Sequence, residues 1–240
     1  MSTLTDYYKD NQDENPYTME QTKHSSRVVI IKELIEEHTP KTGSILDVGC
    51  GDMYLSSALP DYKWTGIDIN LNTNSKSALK VDLESTPYPL TEQYDTIICS
   101  EVLEHLFDPV KVTKEIHRLL KPNGTYILST PNFDWIEHFT MYFRPVVFNP
   151  KQSWTKEHIH FYTLESHDSI LQEAGFKTVY YTGGDPHFGL FFKRARAVLS
   201  GFLKVNLNLD QDRSQIECDK LISEMFKKFC HTIIIVAKKI

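Results

Sequence analysis

Three groups of residues have types and spacings that could do chemistry. The first is the run Ile45-Leu46-Asp47-Val48-Gly49-Cys50-Gly51, a short apolar strand running into an acid and a Gly-x-Gly turn, with Asp68 closing the next apolar run, Trp64-Thr65-Gly66-Ile67. Two glycines let a backbone turn tightly with nothing standing between it and a ligand. A carboxylate at the tip of the following strand can accept hydrogen bonds from both hydroxyls of a ribose. The second group is Ser100-Glu101-Val102-Leu103-Glu104-His105. His105 is the general-base candidate, because imidazole titrates near neutral pH. Glu101, Glu104 and His105 fall at i, i+3 and i+4, one face of a helical turn. The third group is His158 and His160, which an extended segment would point to the same side. One of them could complete a cation site with Glu101, Glu104 and His105, where a divalent ion would lower the pKa of a bound hydroxyl.

The elements that must position these groups follow in order. A helix over residues 24–38, with apolar Val28, Val29, Ile30, Ile31, Leu34 and Ile35, precedes the first strand. Between Asp68 and Asp82 the chain is rich in Asn and Ser, a composition that favours turns and leaves the connecting helix abbreviated or missing. Lys80-Val81-Asp82-Leu83 is the third strand with its terminal acid, and Tyr94 to Ser100 the fourth. Asp108-Pro109 opens a helix, with a capping carboxylate before a proline in the first turn. Tyr126 to Asn132 is the fifth strand. Thr163-Leu164-Glu165 leads a helix that stops at Gly175. Strands six and seven begin at Lys177 and His231, separated by a long insertion.

A dinucleotide fold would need a third glycine where Tyr54 stands. The Asp-x-Gly-x-Gly loop, Asp68, the Glu-Val-Leu-Glu-His run and the Leu119-Leu120-Lys121-Pro122-Asn123-Gly124 turn instead resemble class I S-adenosylmethionine (SAM)-dependent methyltransferases over roughly residues 25–175. The pattern is most similar to the broad group around the ubiquinone-biosynthesis O-methyltransferases. The resemblance implies an α/β, Rossmann-like fold: a seven-stranded, mostly parallel sheet with helices on both faces. One domain would span 1–240, with an N-terminal arm and helix (1–38), an aromatic lid-like insertion after strand five (133–157) and a helical insertion between strands six and seven (184–228). It implies SAM as cofactor, held by Asp47, Gly49, Cys50, Gly51, Asp68, Ile69, Asp82, Leu83, Ser100 and Glu101. The catalytic candidates are Glu104, His105 and His160. Met53 departs from the pattern, standing where the family often has a third glycine. The expectation is that it packs under the loop.

The favoured reading holds no metal. Its alternative uses Glu101, Glu104, His105 and His160 as ligands, a pattern similar to that of methyltransferases acting on small-RNA ends. A non-catalytic SAM-binding module is a further alternative. The favoured acceptor is a hydroxyl of a small molecule or glycan precursor. A formal net charge of −6 over 240 residues gives no overall attraction to nucleic acid. The four cysteines lack metal or disulfide spacing, and with no signal-like N-terminus or membrane-length apolar run they suit a cytoplasmic protein. In the second insertion, Phe191, Ala195, Val198 and Phe202 form a helical stripe with Lys193, Arg196 and Lys204 opposite. The stretch 188–205 can lie on a membrane or face an anion; the expectation is that its apolar side docks on its own domain.

Overall fold

The structure, a computed structural model, describes residues 25–71, 75–134, 158–185, 190–207, 209–227 and 230–240; for 190–196 and 211 it describes the backbone alone. The expected aromatic arm (Tyr7, Tyr8, Tyr17) and nearly all of the aromatic insertion lie outside the described residues.

Seven strands form one sheet. They are β1 (Ser44–Val48), β2 (Lys63–Asp68), β3 (Ala78–Lys80), β4 (Tyr94–Ser100), β5 (Leu120–Pro131), β6 (Phe176–Gly184) and β7 (Thr232–Lys239), in the order β3-β2-β1-β4-β5-β7-β6. β7 alone runs against the direction of the other six. Central parallel strands must be covered on both faces, and their side chains alternate between two apolar layers. Leu46, Ile97 and Leu128 enter one layer with Ile116, Leu119, Leu171 and Phe176. Ile45, Ile98 and Ile127 enter the other, against Ile31, Leu34 and Ile35 of helix α1 (Ser26–His38). Each such side chain is worth about 1.5–3 kcal/mol when fully buried, so register is firmly set.

The helices start as their sequences dictate. Asp108 caps α3 (Pro109–Leu119), its carboxylate accepting from Lys111 N–H at 2.9 Å, with Pro109 in the first turn where no N–H is needed. Thr163 and Ser166 close a capping box at the head of α4 (Leu164–Glu173). A short helix, α2 (Tyr54–Ala58), follows the glycine turn. Among the described residues between β2 and β3 there is no helix. Between β6 and β7 stand α5 (Leu190–Leu207) and α6 (Gln211–Met225). α6 packs on β6 and α1, and α5 packs on α6. The expected docking of the α5 stripe is overturned where its side chains are described: Val198 and Phe202 are exposed, and Leu199, Ser200 and Leu203 turn inward instead. A helix packed chiefly on one neighbour buries a narrow stripe, and here the neighbouring stripe won. All four cysteines are free and buried.

Candidate functional site

At the carboxyl ends of β1 and β2 the backbone makes a cradle. The N–H groups of Gly49 and Cys50 both donate to Ile67 carbonyl, at 2.8 and 3.2 Å, which folds the loop back over β2. Gly49 has φ +77°, and a Cβ there would run into Val102. Gly51 has φ +49° with nothing within 4 Å of a Cβ position, so its side of the loop is open. Its N–H donates to Asp68 Oδ2 at 2.9 Å, while Asn70 N–H donates to Oδ1 at 2.8 Å. Cys50 turns its thiol inward against Gly66 and offers only backbone to a ligand. Met53 is in the left-handed region at φ 62°, where glycine would be unstrained, and its 2 % exposed side chain packs under the loop beside Gly66. It leaves the crevice open.

The crevice is acidic. Burial, with the charges of Asp68 and Asp52, pushes Asp47 up to about 7. Burial also raises Asp68, against the backbone amides that favour its charge. Two carboxyls whose ionisation burial opposes suit a ligand that brings positive charge. Ile69 is partly exposed beside them. Asp82, linked to this corner through Val81 N–H on Asp68 carbonyl, accepts from Glu84 N–H at 3.0 Å and so caps its own turn; Leu83 is buried behind it.

Across the sheet, the turn after β4 carries the second group. Glu101 takes φ 56°, a left-handed conformation that ends the strand sharply, and a 3-10 turn (Leu103–His105) follows. Glu101, Glu104 and His105 therefore do not share one face of a continuous helical turn, as their spacing predicted. Glu101 is held apart: Oε1 accepts from Ser129 Oγ at 3.0 Å, and Oε2 pairs with Arg27 Nη1 at 2.8 Å. Ser100 and Ser129 share a hydrogen bond of 2.8 Å in the same network. Arg27 was missed by sequence reasoning. Its signal was a cation in the first turn of α1, where the helix dipole disfavours it. It keeps its charge because the half-buried guanidinium, though opposed by desolvation, faces Glu101 and Asp185. Asp185 also accepts from Ser25 Oγ, Ser26 Oγ and Arg27 N–H, capping α1 from the end of β6.

Glu104 is 1 % exposed, and neither carboxylate oxygen has a hydrogen-bond partner among the described residues. Burial, and then the charge of Glu101, hold its carboxyl well above the usual range. His105 Nε2 lies 3.8 Å from Glu104 Oε1, and the His105 and His158 rings meet edge-on at 4.8 Å between centroids. The downstream segment is bolted to this turn: Ile159 and His160 N–H both donate to Glu104 carbonyl, and Tyr162 Oη donates to Leu103 carbonyl. Two successive amides converging on one carbonyl make a bend, so the two-residue alternation expected for His158 and His160 fails. His158 joins His105, whereas His160 stands 5.9 Å from the Tyr162 ring. Among the described residues, Glu104, His105 and His158 place one ligand atom each within 4.8 Å of one another. Glu101 and His160, the other two expected metal ligands, are not in that cluster.

A glycine cradle, an acid closing the second strand and an acid–histidine turn at the end of the fourth define a SAM-dependent methyltransferase. A model of the methyltransferase domain matches residues 24–181, and the chain belongs to that family. It is 26 % identical over 183 residues to a ubiquinone biosynthesis O-methyltransferase of Coxiella burnetii, covering 70 % of this chain and 78 % of that one. Its fold is similar to that of a Synechocystis magnesium protoporphyrin IX methyltransferase with bound S-adenosylhomocysteine (TM-score 0.55, 16 % identity, 89 % of this chain and 82 % of that one). It is similar also to a Burkholderia thailandensis 1,6-didemethyltoxoflavin-N1-methyltransferase (TM-score 0.58, 11 % identity, 98 % and 86 %). SAM is the cofactor, and the open, acidic cradle fits it. Among the described residues no helix is long and apolar enough to cross a membrane.

Proposed function

We propose that this methyltransferase acts on a hydroxyl of a small molecule or glycan precursor, with Glu104, His105 and His158 forming the acceptor side. The observation that carries this is the buried Glu104 carboxyl held against two imidazoles at the end of β4. The name of the Coxiella relative, an O-methyltransferase, supports an oxygen acceptor. Asp68 and Asp47 would hold the ribose and the amino-acid end of SAM, with Gly49 to Gly51 as the backbone floor. The sulfonium supplies an already activated methyl group.

The protein's share of the work is then placement and one proton. Positioning the acceptor oxygen supplies much of the rate. His105 takes the hydroxyl proton as oxygen becomes nucleophilic, and the Glu104 carboxyl beside it packs against the ring. Arg27 and Ser129 act as positioning residues, keeping Glu101 away from that pair. General-base assistance of this kind is worth about 10²–10⁴-fold. The test is methyl transfer from labelled SAM to a panel of phenols, catechols and sugars. His105→Ala should lower kcat by about a hundredfold while SAM binding is kept. Activity unchanged in that variant would remove the base from the reading.

The cluster also favours a second reading, in which a divalent cation sits on Glu104, His105 and His158 and binds the acceptor oxygen. Stimulation by manganese or magnesium, loss with chelator, and loss of metal binding in His158→Ala would establish it. Activity indifferent to chelator would leave the metal-free base.

A further inference from the structure

We propose that α5 is a peripheral membrane anchor, whose outward face seats in the interface of an anionic lipid bilayer. Val198, Phe202 and Val205 are 75 %, 61 % and 80 % exposed. Their spacing of four and three puts them on one helical face, with Gly201 exposed between them. The opposite face is already occupied. Leu199 and Leu203 pack with Cys218 and Ile222 of α6, and Ser200 Oγ shares a hydrogen bond of 3.1 Å with Ser214. α5 thus packs chiefly on α6 and keeps an exposed apolar side.

Charge identifies the occupant. The sequence of α5 carries Lys193, Arg194, Arg196 and Lys204 and no acidic residue, in a chain of formal net charge −6. A second copy seated symmetrically on this face would bring two basic helices together. A nucleic acid would meet two valines and a phenylalanine at the centre of the surface. An anionic bilayer satisfies both parts, taking Val198, Phe202 and Val205 among its acyl chains, with exposed Lys204 flanking them at its headgroups and Arg194 placed on their face by helical spacing. Two acids of α6 are engaged elsewhere: Glu224 with Thr182, Tyr180 and Lys227, and Glu217 with Lys220. β6 runs parallel to β5, so α5 leaves the sheet from the end at which β1, β2 and β4 present the crevice.

The test is flotation of the full chain with vesicles of phosphatidylcholine and phosphatidylglycerol in equal parts, and of phosphatidylcholine alone. The protein should float with the first and much less with the second, and salt should release it. Phe202→Glu should weaken partitioning by about tenfold or more, from the apolar burial lost. Lys204→Gln should weaken it about fivefold, since a basic residue near an anionic surface is worth that order. Both variants should retain the wild-type melting temperature and bind S-adenosylhomocysteine normally, so a folding failure is recognised. Three results would overturn the proposal: no flotation with anionic vesicles, flotation indifferent to Phe202→Glu, or a wild-type dimer that Phe202→Glu makes monomeric. The last would assign the face to a second copy.

Discussion

With Asp47 at the amino-acid end of SAM, as proposed, cofactor binding becomes a titration. Asp47 is 5 % exposed, and burial beside Asp68 and Asp52 moves its carboxyl from an ordinary 3.8 to about 7. A ligand that places an ammonium in this crevice favours the charged carboxylate, so binding pulls its pKa back down and expels the proton. The affinity should therefore rise with pH until the free protein is already ionised, then level off. For a group titrating near 7, that is about a tenfold gain between pH 6 and pH 8. Because Asp47 and Asp68 interact, the midpoint belongs to the pair. The same shift bears on stability. The folded state holds this proton more tightly than the unfolded chain, so the unliganded protein is most stable below the unfolded value. It loses stability as pH rises from about 4 through about 7, by an amount on the order of 4 kcal/mol. Calorimetric titration with S-adenosylhomocysteine at pH 6, 7 and 8, in buffers of different ionisation enthalpy, reads both affinity and proton release. Asp47→Asn should bind weakly at every pH, with a much smaller pH slope, and should raise the melting temperature of the unliganded protein at pH 8. Wild-type affinity that is flat between pH 6 and 8 would refute the reasoning.

Other substitutions test other joints of the site. Gly49→Ala forces a Cβ into Val102 at φ +77° and should cost about 3 kcal/mol of stability, read by denaturant melts, and weaken cofactor binding. Arg27→Met frees Glu101 from its 2.8 Å ion pair. Both partners are partly exposed, so the stability loss should be about 1–2 kcal/mol, while kcat falls and cofactor affinity holds; Arg27→Lys should recover part of the loss. His158→Ala should depress methyl transfer strongly and His160→Ala only slightly, because the bend at Ile159 and His160 aims only His158 at His105. Equal losses in steady-state kinetics would show that the bend does not hold during turnover.

The central strands were legible because they are nearly continuous apolar runs, and the helices because Asp108, Thr163 and Gly175 punctuate them; the third strand, expected at Lys80 to Leu83, lies at Ala78–Lys80 instead. The glycine loop was legible for a stereochemical reason: Gly49 and Gly51 occupy positive φ. What failed depended on backbone conformation that composition does not encode. Spacing put Glu101 with Glu104 and His105, but its left-handed φ sends it instead to Arg27 and Ser129. Alternation gave His158 and His160 one side, but two amides on Glu104 carbonyl turned them apart. Arg27 lies far from the turn in sequence and meets it only because α1 crosses β5 to β7. The stripe on α5 was seen, but which side of it would be buried depended on α6.

The most direct measurement is a crystal structure with S-adenosylhomocysteine bound. The account predicts ribose hydroxyls on Asp68, the amino group near Asp47, and the sulfur facing the side where Glu104, His105 and His158 meet. A ligand bound away from the Gly49–Gly51 cradle, or one whose sulfur faces away from His105, would contradict it.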